Sequence, residues 1–191
     1  MKENSKSKYS GGLTCYFFDS DLITGVNNSK RRGMYLKMNE SSNIKVIAMG
    51  NVLMKDDGIA IEVAKQIEGK LLEKNIQVIY AETDIQYSIS NVKEDDHILI
   101  LDAAYYGKNP GEITNLSLNA FVCKKKGYSQ HNYSSLDLLK LYYPSIKGEI
   151  YAIEVKEVEF GFGLSQVLQE KLEVISKVIL EEIERYIVRI N

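Results

Sequence analysis

Cysteine is scarce in this sequence. Cys15 and Cys123 are the two in 191 residues, too few for a disulfide framework or a four-cysteine zinc site. That scarcity suits a reducing, intracellular setting. Proline is equally scarce. Pro110 and Pro144 both fall in stretches that read as loops, so the helix and strand patterns run without a breaker. Long apolar runs are missing as well. Stretches such as Ile98 to Leu101, or that around Val178 to Leu180, fall far short of the ~20 residues of a membrane helix. The polar, lysine-rich start, Met1 to Gly12, leads into an apolar segment, Leu13 to Phe18, that Asp19 ends. That segment is too short for a signal peptide. The expectation is a cytoplasmic protein with no membrane insertion. Nor is there an excess of one charge sign: 24 Lys and Arg stand against 26 Asp and Glu, a net charge of -2 with both His neutral. That balance argues against a nucleic-acid partner held by bulk charge.

What the sequence does contain is ordinary for a soluble globular chain, with 45% hydrophobic and 26% charged residues. A chain of this length buries roughly 70% of its unfolded surface and needs no staples. It divides at about residue 43. Residues 1–43 read as an N-terminal extension, partly disordered, with Leu13 to Phe18 as a possible strand and Lys30, Arg31 and Arg32 in a solvated turn. Residues 44–191 form one regular α/β domain.

Strand and helix patterns alternate through that domain. Ile44 to Met49 is a short β-branched strand. Ile59, Val63, Ile67 and Leu71 recur at the step of one helix face within Gly58 to Lys74. Gln77 to Ala81 reads as a strand and Ile85 to Val92 as a short helix. His97 to Leu101 is apolar on both faces, as central parallel strands are. Glu112 to Leu118 reads as a further strand. Ser134, Ser135, Leu136 and Asp137 resemble a capping box ahead of a helix through Leu138 to Tyr142. Glu149 to Val155 is the last strand. Leu164, Leu168, Leu172, Ile175, Ile179, Ile183 and Ile187 make the apolar stripe of a long C-terminal helix. The pattern predicts a three-layer α/β fold, a mostly parallel twisted sheet with helices on both faces.

In such folds functional groups gather beyond the carboxyl ends of the strands. Three candidates stand there. Asp56 and Asp57 follow the first strand, where one acid would cap the helix and the other would face the cleft. No glycine-rich run or Lys-Ser/Thr follows, so this is not a phosphate loop. Asp102 follows the HILIL strand, where it can also simply hydrogen-bond a neighbouring loop. His131 lies in a polar loop, a common setting for a surface histidine, while His97 opens its strand at the other end and reads as structural. Together, Asp57, Asp102 and His131 suit a divalent metal with positions left open. The same trio equally suits general acid–base work on a water molecule.

Four motifs in order give the domain a resemblance. They are Gly50-Asn51-x-Leu53-x-x-Asp56-Asp57-Gly58; Asp102-Ala103 followed by Pro110-Gly111; Ser129-x-His131; and Gly161-Phe162-Gly163-Leu164-Ser165 with Ile153-Glu154 upstream. Over about residues 44–188 the chain resembles the nickel-iron hydrogenase maturation endopeptidases. The resemblance implies a processing peptidase that trims the C-terminal peptide of a hydrogenase large-subunit precursor after nickel insertion. It implies that Asp57, Asp102 and His131 contact a nickel ion carried by the substrate, a site another divalent ion can occupy in vitro. It makes the precursor metalloprotein the partner. Two departures stand against the family pattern: Ala48 replaces a glycine inside the first strand, and Ala81-Glu82-Thr83-Asp84 stands where the family has Asp-Gly-Gly-Thr. Those glycines would let backbone approach a substrate chain closely. The alternative reading is therefore a non-catalytic metal- or precursor-binding module, a maturation chaperone on the same fold.

Overall fold

The computed structural model of the protein describes residues 44–118 and 135–191. The N-terminal extension, the loop carrying His131, and Ser134 lie outside the described residues.

Among the described residues the chain runs β1 (Ile44–Met49), a 3-10 turn (Lys55–Gly58), α1 (Ile59–Leu72), β2 (Gln77–Glu82), α2 (Ile85–Ser90), β3 (His97–Ala104), β4 (Ile113–Ser117), α3 (Ser135–Tyr142), β5 (Lys147–Glu154) and α4 (Gln166–Ile190). The strands form one sheet in the order β2-β1-β3-β5-β4. β1 pairs in parallel with β2 and β3, and β3 in parallel with β5. β4 joins β5 antiparallel at the edge. Its chain leaves β3 and turns back through Pro110-Gly111 without a crossover helix, and only a crossover would make it parallel. The mostly parallel sheet with helices on both faces is thus the fold its periodicities predict.

Side-chain alternation divides the core in two. Val46 and Ala48 of β1, Leu99 and Leu101 of β3, and Tyr151 and Ile153 of β5 pack with α1 and α4. Ile47 and Met49, Ile98 and Ile100, and Ile150 face the opposite way, with Leu139 of α3 and Val92 after α2. Period-2 strands buried on both faces leave the middles of β1 and β3 apolar. The polar groups of these strands are therefore pushed to their ends. The stripe on α4 is buried at Leu168, Leu172, Ile175, Ile179 and Ile183.

Sheet order sets the functional edge. The connection from β1 leads to β2 on one side, and β3 lies on the other, so the direction in which strands are added to the sheet reverses between β1 and β3. A crevice opens at such a switch point, outside the carboxyl ends of the two strands.

Candidate active site

The turn after β1 is wound tightly. Gly50 has φ of 126°, and a Cβ there would stand 2.0 Å from the Asp57 carbonyl oxygen, so only glycine fits. Asn51 N donates to Asp57 Oδ2 at 2.7 Å, and Leu53 N donates to Asn51 Oδ1 at 2.9 Å. Met54 N donates to Asn51 O at 2.9 Å, and Asp57 N to Met54 O at 3.1 Å. Asn51 and Asp57 thereby hold each other across the loop.

The expected cap is not there. Met54 precedes the 3-10 turn and Gly58 precedes α1, neither with a side-chain cap. Asp56 is instead fully buried and turned toward the end of the chain. Its Oδ1 accepts from Ser165 N at 2.6 Å; its Oδ2 accepts from Ser165 Oγ at 2.8 Å and from Lys156 N and Glu157 N, both at 3.1 Å. Two backbone bonds run beside it: Lys55 N to Gly161 O at 3.1 Å and Gly161 N to Leu53 O at 2.9 Å. Asp56 is a clamp that joins the β1 loop to the Gly161–Ser165 segment. It can leave its neighbour Asp57 to the crevice because its own oxygens are satisfied elsewhere. Lys55, alongside, donates to Glu157 at 2.9 Å and to Glu159. These bonds, to Glu159 first and Glu157 second, push its pKa up.

Asp102 lies within β3 rather than after it, because pairing continues to Ala104 and sets Asp102 opposite Ala152 of β5. Its Oδ1 accepts from Ala103 N at 2.9 Å. Burial first, and the nearby Asp57 charge as well, push its pKa up to about 6, with the Ala103 N–H opposing. Asp57 thus lies near enough for its charge to act on Asp102. The loop after β3 is held by a different acid. Buried Glu154 accepts from Tyr106 N at 2.9 Å, Gly107 N at 2.8 Å and Lys108 N at 3.1 Å. Burial alone would raise the Glu154 pKa, but these three donors outweigh it and hold the pKa low. His97 is structural, as its position in the sequence implied: its Nδ1 lies 2.7 Å from Tyr186 Oη.

The segment that departs from the family pattern keeps a glycine-like backbone. Glu82 has φ of 48°, a left-handed conformation that glycine adopts freely and other residues do not. A register shift between Ala48 and Met49 leaves Ala81 unpaired against β1. Gly50 N donates to Glu82 O at 3.0 Å, so residue 82 still abuts the Asp57 loop. Asp84 caps α2, accepting from Tyr87 N at 2.9 Å.

Among the described residues no three His, Cys, Asp or Glu side chains come together to hold a metal ion. Asp57 and Asp102 supply hard oxygen donors, and a metal between them needs ligands from elsewhere, such as a bound substrate. His131, the third expected ligand, lies outside the described residues. Asp56 and Glu154 are what sequence reading missed. Each stood inside a noted motif, but their partners lie too far along the chain to be read from spacing.

A three-layer α/β fold with a mostly parallel sheet in the order β2-β1-β3-β5-β4 places the protein in the doubly wound class. Known proteins make the class specific. The sequence model of the hydrogenase maturation proteases matches residues 61–182, and the chain belongs to that family. It is therefore a hydrolase of the endopeptidase kind. It is 26% identical over 153 residues to a candidate hydrogenase maturation protease of Methanocaldococcus jannaschii, covering 76% of this chain and 99% of that protein. The solved [NiFe] hydrogenase maturation protease HybD of Thermococcus kodakarensis is 25% identical with a TM-score of 0.55, over 72% of this chain and 97% of that one. The hydrogenase maturating endopeptidase HybD of E. coli shares the fold, with a TM-score of 0.57 at 19% identity over 75% and 93% of the two chains. Proteases of this family act on hydrogenase large-subunit precursors. Among the described residues no helix is long and apolar enough to cross a membrane.

Proposed function

We propose that this chain removes the C-terminal peptide of a nickel-iron hydrogenase large-subunit precursor, and that the nickel arrives with the precursor as part of the substrate. What supports the proposal is the family match together with the position of Asp57 after β1 and of Asp102 near the end of β3, where the Asp57 charge adds to burial in raising the Asp102 pKa. Two neighbouring carboxylates repel each other, and a bound cation relieves that repulsion. In this reading Asp57, Asp102 and the loop residue His131 read the nickel and align the scissile bond. Asp57 is oriented by the Asn51 N–H. Asp102, ionised at neutral pH, accepts a proton from the attacking water and returns it to the leaving amine.

A second reading, a module that binds the precursor without cutting it, is favoured by Glu82-Thr83-Asp84 in place of the family's glycines. The two are separated by trimming of a nickel-loaded large-subunit precursor, followed by gel shift and mass spectrometry. The peptidase reading predicts cleavage by the wild type and its loss in Asp57→Asn and His131→Ala, with melting temperatures nearly unchanged. Tight binding without cleavage by the wild type supports the module instead.

A further inference from the structure

Behind the Asp57 loop lies a cavity of about 330 Å³, within the size range of ligand pockets. Val52 and Gly58 form one wall. Phe162 and Leu164 before α4, with Leu172 in it, form the other, and Gln169 stands at the rim. Lys55 and Glu62 add one charge of each sign. Gly58 directly follows Asp57, so a chain lying across the Asp57 carboxylate meets the cavity on the same loop.

Phe162 is 81% exposed, an unusual state for a phenylalanine. The segment around it is not slack. Gly161 is bonded to Leu53 and Lys55, and Ser165 is held by buried Asp56. A buried carboxylate thus fixes a backbone that keeps an apolar ring uncovered at the cavity mouth. Tyr105, 75% exposed, likewise precedes the loop that buried Glu154 holds.

We propose that this cavity is a subsite for the precursor peptide. It takes an aliphatic side chain of the extended segment that crosses Asp57, and Phe162 covers that side chain. The inference rests on the peptidase reading above. Charge and chemistry select a peptide as the occupant. The lining sets the apolar Val52, Phe162, Leu164 and Leu172 beside polar groups, a mixture that suits a peptide's side chain and backbone together, and Glu62 is held by Lys65 at 2.8 Å. A phosphate-bearing ligand is opposed by Glu62, and the Lys55 amine is already shared by Glu157 and Glu159. Continuity with the candidate active site through Gly58 gives the peptide one path over both.

Gln169 is exposed on α4, so Gln169→Trp fills the cavity mouth without burdening the core. With nickel-loaded large-subunit precursor as substrate, the variant is expected to raise KM roughly tenfold or more, the scale of one lost aliphatic burial. The kcat and melting temperature should stay near wild type. Unchanged KM in Gln169→Trp overturns the subsite. If the wild type trims no precursor, the peptidase reading fails on its own account. Calorimetric binding of the same precursor then decides the subsite: weakened binding by Gln169→Trp supports it, and equal binding overturns it.

Discussion

Asp56 and Asp57 are neighbours with opposite environments, and one substitution applied to both exposes the difference. Asp56→Asn turns an amide N–H₂ toward donors that now meet carboxylate oxygen. It is expected to cost about 3 kcal/mol in urea unfolding, because buried donors lose a charged acceptor. Asp57→Asn keeps an oxygen for the Asn51 N–H and should change stability by less than about 0.5 kcal/mol. Asp102 gives a pH signature. Its folded pKa, about 6, lies above its ordinary value of 3.8, so the folded state holds the proton more tightly than the unfolded chain. Stability from this group is therefore fully present below about pH 4 and is lost as pH rises through 6. Asp102→Asn removes that loss. Its advantage over wild type should open between pH 4 and 6 and reach on the order of 1–3 kcal/mol at neutral pH, read from melting temperature against pH. At this scale the sequence displays the two adjacent acids and not their environments. The Asp-Asp pair is visible by eye, whereas the Ser165 that distinguishes the two lies on another element.

At the scale of elements, turn backbones carry the specificity of the β1 edge. Gly50 admits no side chain, and Gly50→Ala should destabilise by about 3 kcal/mol or more, from strain and collision with the Asp57 carbonyl. Glu82 is the converse case, a bulky residue held at φ of 48°. Glu82→Gly relieves that conformation and should stabilise by about 0.5–1 kcal/mol net of glycine's entropy, measured by denaturant titration. Strands and helices were legible because β-branched runs and four-residue steps are local signals. The end of β3 was not, since Asp102 to Ala104 remain in the strand through pairing with Ala152 to Glu154. The capping role expected of the acid pair failed for a similar reason: a buried non-local acceptor site competes with a local cap and, for Asp56, wins.

For the molecule as a whole, the alternation of patterns sufficed to predict a mostly parallel sheet, because strands joined by helices have few other ways to bury both faces. The antiparallel edge strand β4 was not legible as such. Its residues alternate as those of any strand do, and its direction depends on a connection lacking a helix. The coupling of Asp57 with Asp102 followed from the topology, since parallel strands bring their carboxyl ends to one side. The same topology predicts where the sheet opens first. Amide hydrogen exchange should be slowest in β1 and β3, which are paired on both sides and covered on both faces, and fastest in β4 at the edge.

The Asp56 clamp spans 109 positions, and that span gives the site a timetable. During synthesis the β1 loop leaves the ribosome well before Ser165 does, by on the order of ten seconds at ordinary elongation rates. Until then the Asp56 carboxylate lacks the Ser165 donors, and the loop that carries Asp57 has only its own local bonds. The Asp56 clamp is thus assembled from the two ends of the domain and is complete only when both have been made. A contact this long-range also forms late in folding. Asp56→Asn should accordingly speed unfolding while leaving the refolding rate almost untouched, a split that stopped-flow kinetics reads directly.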